Sequence, residues 1–592
     1  MKNKRILFGA SYSSIEPLGI LHLSGLARDC GWDRKIHLVK NHNFEDFFES
    51  VKDYKPDIVG FNVYTGNHTQ LAEAFYRLKK DFKNIMTIVG GPHPTYFPAE
   101  SSEYSDYVVM SEGFGALKKI LAGNTSPGIM PMGATQHFPL PDRETFYQDY
   151  PEHANSKIKS IITMTGCPYT CTYCYNSSTI KELADNLPPA LAAALGKSMK
   201  SSGRLFPKNV RCMNQVIEEG KQIAERWPTS VIYFQDDIFG FDAKEGGMLE
   251  QLAERWPKEV GIPFHSQMRW EMTVGKGGEK RLDLVKEAGG FGITLAIEAA
   301  DPIIRKEILD RGMPEEMIFE GMKNVVDRGF KIRTEQITGL PYGATSEPTK
   351  MNLDADLELL ELNVRLKEET GGPTMAWAST LAPYKGTKMG TYCAQYGHYE
   401  SDNNDVPDTF FESSVLRFPK EWHGPDLENK KNDPEVWLDG ADLVRYRKQN
   451  AELRKLFNFF AAVPEGHILA EKYLKNIEDY SYDTLGEMTI HHLNSLENSN
   501  NNAKIALQKI ESLETYIENT SVKHPKKDLK DLKSLASYFA CLPKSKMAVD
   551  KTIDYSNKKN ELSIDPGTLS TAVRHHLYDN VLYYKDEQSD EG

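Results

Sequence analysis

Short apolar runs alternate with helical patterns twice along this chain, once before residue 125 and once after residue 157, and that alternation restricts the fold to parallel α/β architecture. In the first series RILFG (5–9), KIHLV (35–39), DIVGFNV (57–63), MTIVGG (86–91) and DYVVM (106–110) read as about five strands. PLGILHLSGLARDCG and HTQLAEAFYRLKKDF supply helices between them. The spacing predicts a Rossmann-like, doubly wound sheet over 1–125. Polar or glycine-bearing loops follow the strand ends, at Ser11–Ser14, Thr65–His68, Gly90–Thr95 and Ser111–Gly113. In an open parallel sheet these ends form the ligand crevice.

A proline-rich connection, 126–157, leads into the second series. Its strands fall at 158–164, 230–235, 263–269, 291–297, 331–337 and 374–380, with helical patterns such as EEMIFEGMKNVVDRG between them. Six parallel strands predict a partial (β/α)6 barrel over 158–390, not a closed eight-stranded one. His265, Gln267 and Arg269 share one strand face at period two, as do Arg333 and Glu335. A strand buried on both faces is normally apolar, so these side chains imply either a polar lumen or frayed strand ends. From 395 to 585 the pattern is mainly helical, with ADLVRYRKQNAELRKLFNFFAAV strongly amphipathic. DNNDVPD (402–408) reads as a loop, VKHPKKDLKDLK (522–533) is lysine-rich, and 586–592 is an acidic tail. His491-His492 and His575-His576 are adjacent pairs in helical patterns. Neighbours on a helix diverge by about 100°, so surface or packing roles are expected of them.

With 592 residues, 40% of them hydrophobic, the chain is long enough for several packed domains. Its formal charge of −13 and lack of a long basic tract argue against a nucleic-acid or anionic-membrane binder. No segment has the length and apolarity of a membrane span. The start, MKNKRILFGASYSS, reads as a first strand instead of a signal peptide. Seven cysteines, an odd number with three crowded between 167 and 174, do not make a disulfide framework. A reducing, cytoplasmic setting is expected.

Those three, Cys167, Cys171 and Cys174 in TMTGCPYTCTYCYNSS, have the spacing C-x3-C-x2-C just after the first barrel strand. A tight loop there can turn three thiolates onto one centre. Zinc would need a fourth Cys or His, and no second pair is placed to supply it. The stretch resembles the radical S-adenosylmethionine (SAM) signature C-x3-C-x-aromatic-C, with Tyr173 at the aromatic position. The resemblance covers about 157–385. It implies a [4Fe-4S] cluster on the three cysteines, whose open iron binds SAM, and reductive cleavage to a 5′-deoxyadenosyl radical. It also places Tyr173 near the adenine, Asp236 of Gln235-Asp236-Asp237 at the SAM amino group, Glu298 of LAIEAADP at the ribose or amino acid, and Gly339 of ITGLPYGATSE near the adenine. At 235–237 this chain lacks the family's Gly-Gly-Glu form, and Ala replaces the Ser and Gly that follow the acidic residue in the family. Helix N-terminal capping is the structural alternative for Glu298.

Directly upstream, EPLGILHLSGLARDCGW, PDIVGFNVYTGN, IVGGPHPTYFP, YVVMSEGFGAL and LPDRETF follow in an order that resembles the cobalamin-binding half of one radical SAM subclass. That resemblance implies a corrinoid held between sheet and barrel by Ser11, Tyr12, Thr65, Gly66, Gly90, Gly91, His93 and Glu112. The D-x-H-x-x-G motif of other cobalamin proteins is absent, and His93 is read as a crevice residue, not as a cobalt ligand. The implied activity is cobalamin-dependent methyl transfer to an unactivated carbon or phosphorus centre. Radical rearrangement, cyclisation or oxidation is the alternative among enzymes, and a corrinoid carrier or sensor the alternative outside them. The substrate would be a small molecule or peptide oriented by His265, Gln267, Arg269, Arg333 and Glu335. A low-potential electron donor such as flavodoxin or ferredoxin is implied, with no nucleic-acid or membrane partner.

Overall fold

A computed structural model describes residues 4–130, 138–184, 187, 189–198, 203–206, 208–399, 413–479, 482–521, 536–558, 576–577 and 581. The expected loop at 402–408, the lysine-rich stretch 522–533, His575 and the acidic tail lie outside them.

The first sheet has six parallel strands: β1 (Arg5–Ser11), β2 (Asp33–Val39), β3 (Ile58–Asn62), β4 (Met86–Gly90), β5 (Tyr107–Val109) and β6 (Gly128–Met130). Their order is β2-β1-β3-β4-β5-β6, so the chain reverses direction of travel between β1 and β3. Successive residues serve opposite faces: Ile6 and Phe8 pack under the helix Leu18–Asp29, while Leu7 joins Phe47, Val59 and Phe75 on the other side. Both faces are covered, which is why these strands read as continuous apolar runs. The sixth strand falls inside the segment expected as a plain connection. Only three residues long and partly exposed, Gly-Ile-Met gives no alternation to read.

The second sheet contains β7 (Ile158–Ile161), β10 (Val231–Phe234), β11 (Phe264–Met268), β12 (Gly290–Glu298), β13 (Lys331–Thr338) and β14 (Met375–Thr380). All six are parallel and neighbours follow chain order, giving an open half-barrel with β7 and β14 at its edges. A small antiparallel pair, β8 (Met164–Thr165) with β9 (Asn209–Val210), flanks the cysteine loop. Ile293, Leu295 and Ile297 of β12 point outward into the main core, leaving the alternate positions to the lumen.

The C-terminal region is helical, as expected. Its longest helix, Gly440–Ala462, is capped by Asp439, which accepts from the amides of Ala441 (3.1 Å) and Asp442 (3.2 Å). It packs along β14 and the helix Asn352–Thr370, covering the barrel's open edge. His492 and His576 bond the carbonyls of Pro464 and Pro543 through Nε2, as packing residues do. No helix among the described residues is long and apolar enough to cross a membrane.

The two sheets are joined through LPDRETF. Asp142 accepts from Ser24 Oγ and Arg34 Nε, both at 2.8 Å, fixing this segment to the first domain. Arg143 is buried between Glu16 (3.2 Å) of that domain and Glu219 (2.7 Å) of the barrel helix Met213–Arg226. Arg211 also reaches Glu219 at 2.7 Å, and the Ser160 amide of β7 donates to Glu16 at 2.6 Å. Burial works against the Glu219 anion, yet Arg211 and Arg143 hold its carboxyl down at about 2.

Candidate active site between sheet and barrel

The cysteine loop leaves the half-barrel at the carboxyl end of β7, where such folds gather chemistry. Its entry is pinned by two carboxylates at the end of β10. Asp236 accepts from the amides of Thr163 (2.6 Å) and Met164 (3.2 Å) and from the Thr163 hydroxyl; Asp237 accepts from Gly166 N at 3.0 Å. Asp236 is wholly buried, and burial raises its carboxyl to about 7. The structure thus places Asp236 beneath the loop as its support. Arg204 spans the loop from another side, donating to the carbonyls of Cys167 (3.2 Å), Pro168 (2.8 Å), Tyr169 (2.7 Å) and Asn176 (3.1 Å). Five N–H donors in a rigid fork suit one arginine to that task.

Tyr173 and Glu298 lie far apart in sequence and meet here. The Tyr173 hydroxyl donates to Glu298 Oε1 at 2.6 Å, and Arg311 Nη1 donates to Tyr173 Oη at 3.0 Å. Glu298 ends β12 just past a register shift, with φ of 69°, a left-handed conformation that turns its carboxylate away from the strand's regular alternation. Burial pushes this carboxyl up to about 7. The capping alternative is taken by Asp301, whose Oδ1 accepts from Ile303 N at 2.7 Å.

Arg269 lies one residue beyond β11 and reaches the cysteine loop instead of the lumen interior. Its Nη1 stands 3.0 Å from Cys171 Sγ, its plane covers the Tyr169 ring at 3.9 Å, and Glu271 pairs with it at 2.6 Å. Arg311 Nη1 is 3.8 Å from the same sulfur. Gly339 closes β13 with φ of 67°. Its amide donates to Asp356 Oδ1 at 3.0 Å, and Asp356 also accepts from Tyr342 (2.9 Å), Tyr446 (2.8 Å) and Asn450 (2.8 Å). A Cβ at Gly339 would stand 3.2 Å from the Asn450 side chain. The strand end and the C-terminal helix are therefore one assembly.

The lumen is polar. His265 bonds Thr294 Oγ1 at 2.8 Å through Nε2 and stacks on Tyr233, with centroids 5.6 Å apart. Burial holds His265 well below the usual imidazole range, so it is neutral. Arg333 donates to Glu335 at 2.5 Å and to Tyr233 at 3.3 Å. Gln267 shares the β11 face with His265, opposite Thr294 in register.

Above the lumen, the loops of the first sheet touch the cysteine loop directly. Tyr96 donates to the Tyr175 carbonyl at 2.6 Å, and Glu112 accepts from Asn209 of β9 at 3.0 Å. Between the helix Leu18–Asp29 and the carboxyl half of the sheet lies a mainly apolar slot of about 230 Å³. Gly19, Gly60, Gly90, Gly91 and Gly113 line it, together with Glu112, Phe138 and, from the barrel side, Thr165. Gly91 has φ of 106°, and a Cβ there would fall 2.1 Å from Asn62 Oδ1. Ser11 accepts from Asn67 at 2.9 Å, Gly66 N meets His68 at 3.2 Å, and Tyr12 is exposed at the crevice rim with Lys40 over its ring. His93 is fully buried: Nδ1 meets Thr65 Oγ1 at 3.0 Å, and the ring stacks on His68 with centroids 4.2 Å apart. It supports the loops from behind.

Two family models match the chain: the B12 binding domain over residues 4–121 and the Radical SAM superfamily over 161–348. The chain is a radical SAM enzyme with a B12-binding domain. It is 19% identical over 440 residues to the cytidylyl-2-hydroxyethylphosphonate methyltransferase of Streptomyces wedmorensis, covering 65% of this enzyme and 75% of that one. The solved radical SAM methyltransferase TsrM from Kitasatospora setae, with cobalamin and a [4Fe-4S] cluster bound, shares the fold at a TM-score of 0.50 and 14% identity, over 78% of this enzyme and 90% of that chain.

A B12-binding domain followed by a radical SAM domain implies cobalamin, SAM and a [4Fe-4S] cluster as cofactors. The enzyme's own residues fit them. Three cysteines on one loop, none in a disulfide, match the donor set that a cluster with one open iron would need. The glycine-lined slot is a cradle that added side chains would fill. Arg204, Arg311 and Asp356 carry much of the site's organisation, and no pattern in the sequence marks them. Each is a lone charged residue whose partners come from distant elements, and an isolated Arg or Asp reads as surface.

Proposed function

We propose that the enzyme transfers a methyl group to an unactivated carbon or phosphorus centre of a polar small-molecule or peptide substrate. The observation that carries this reading is the direct contact of the two cofactor regions, Tyr96 on Tyr175 and Glu112 on Asn209, above a single polar lumen. When bound, the cluster supplies the electron that cleaves SAM, and cobalamin supplies the methyl-carrying cobalt. Cys167, Cys171 and Cys174 hold the cluster, while Tyr173, Glu298 and the Gly339 turn face SAM. The Rossmann loops at 11–12, 65–66, 90–93 and 112 cradle the corrinoid. His265, Gln267, Arg333 and Glu335 orient the substrate, and Arg269 supports the cluster loop. The packed walls exclude water, which an unselective radical requires. A low-potential donor such as flavodoxin or ferredoxin delivers electrons, and the working compartment is the cytoplasm.

The test is anaerobic incubation of the holoenzyme with SAM, hydroxocobalamin and dithionite. Methyl transfer yields both S-adenosylhomocysteine and 5′-deoxyadenosine. Formation of 5′-deoxyadenosine alone would favour rearrangement or oxidation, and neither product would mean a carrier. Cys171→Ala is expected to abolish 5′-deoxyadenosine together with the cluster absorbance.

A further inference from the structure

We propose that Arg269 and Arg311 set the reduction potential of the cluster through their contacts with the sulfur of Cys171. Both arginines are nearly wholly buried, at 7% and 4% exposure, and their guanidiniums stand 3.0 and 3.8 Å from that one atom. Each is held from behind. Glu271 grips Arg269 in a forked pair at 2.6 and 3.1 Å while Tyr169 lies under its plane. Arg311 is fixed by Tyr173 Oη and by the Ala296 carbonyl at 2.7 Å.

A guanidinium stays protonated in any protein environment, so the two charges are permanent. Reduction adds an electron to a centre already ligated by three thiolates. Fixed positive charge and N–H···S contacts at a ligand sulfur stabilise that extra negative charge and raise the potential. Burial strengthens the effect because little solvent intervenes. The neighbouring carboxylates act the other way: Glu271 offsets Arg269, and Glu298, 3.8 Å from Arg311, offsets its partner. The arrangement is a graded electrostatic setting with one residue of each sign on either side of Cys171. A purely structural clamp on the loop would need hydrogen bonds, but it would not make opposite charges act in opposite directions.

The proposal rests on the cysteine loop holding a [4Fe-4S] cluster, and iron and sulfide analysis of the reconstituted wild-type enzyme tests that separately. Absence of iron there would remove the cluster reading itself. Given a full cluster, anaerobic redox titration followed by the EPR signal of the reduced state measures the midpoint. Arg269→Gln is expected to lower the reduced-to-oxidised ratio at fixed ambient potential at least tenfold, about 59 mV for a one-electron couple. Arg269→Lys, which keeps the charge, is expected to recover most of that shift. Glu271→Gln is expected to move the midpoint upward. The proposal is overturned if Arg269→Gln with four irons per chain titrates at the wild-type potential, if lysine fails to restore it, or if Arg269→Gln and Glu271→Gln shift it in the same direction.

Discussion

The Tyr173 hydroxyl donates to Glu298 Oε1 across 2.6 Å, tying the aromatic position of the cysteine motif to the acidic end of the fourth barrel strand. The two residues expected at SAM are thus neighbours, and their contact makes the cysteine loop and β12 one unit. Burial raises the Glu298 carboxyl from its ordinary value of 4.5 to about 7, so its charge appears as pH rises through neutrality. The amino and hydroxyl groups of SAM are donors, and the carboxylate accepts from them. SAM affinity is therefore expected to rise from pH 6 to 8 in the wild type and to stay flat in Glu298→Gln. At pH 8 Glu298→Gln should bind SAM about tenfold more weakly, the equivalent of about 1.4 kcal/mol. Tyr173→Phe should lose about 1 kcal/mol, roughly fivefold. Anaerobic calorimetry on the reconstituted enzyme measures both.

The Arg143 junction predicts acid lability. The Glu219 carboxyl is held at about 2 in the fold against 4.5 when unfolded. A depressed acid contributes stability that is fully present above about pH 4.5 and is lost as pH falls toward 2. Glu219→Gln removes that dependence and leaves Arg143 and Arg211 facing each other without their shared anion. Breaking a buried pair costs about 3–5 kcal/mol. The expected result is a lower thermal midpoint at pH 7 and a shallower fall on the acid side, read by calorimetry. A wild-type midpoint and acid slope in the variant would show that the junction does not depend on this anion.

Much of this architecture is legible in the sequence because it is periodic. RILFG and YVVM in the first sheet and ITLAI in the half-barrel show short apolar runs between helical patterns, and the cysteine spacing marks one loop. What escapes is set by tertiary contact. β6 is three residues without alternation, and Asp236 looks like a ligand-facing acid until its oxygens are seen accepting the Thr163 and Met164 amides. Arg269 continues the period-two face of His265 and Gln267, yet β11 ends at Met268 and the next residue turns toward Cys171. Periodicity fixes a side chain only while the strand lasts.

Asp356 joins the β13 turn to the C-terminal helix through four donors, and the enzyme should feel its loss in both places. Asp356→Leu removes the acceptor and strands the buried hydroxyls of Tyr342 and Tyr446. Unsatisfied buried groups cost about 1–3 kcal/mol each. Hydrogen exchange is expected to quicken at 339–343 and 440–462 together, with the first sheet unchanged. Exchange confined to one of the two segments would mean that they are not coupled through this carboxylate.

The last prediction concerns the glycine-lined slot. Gly19 lies in its wall, and a Cβ there meets no atom within 4 Å, so the backbone accepts a side chain that then occupies the cavity. A phenylalanine ring there projects into space that the slot otherwise leaves open. The substituted residue sits in the first turn of the helix Leu18–Asp29 and not on the cysteine loop, and iron content reads cluster assembly separately. Gly19→Phe is expected to retain iron at the wild-type level and to lose corrin absorbance after anaerobic reconstitution with hydroxocobalamin, with binding weakened at least a hundredfold. Cleavage of SAM to 5′-deoxyadenosine should persist while S-adenosylhomocysteine disappears. Undiminished corrin bands in this variant would place the corrinoid elsewhere than against the slot.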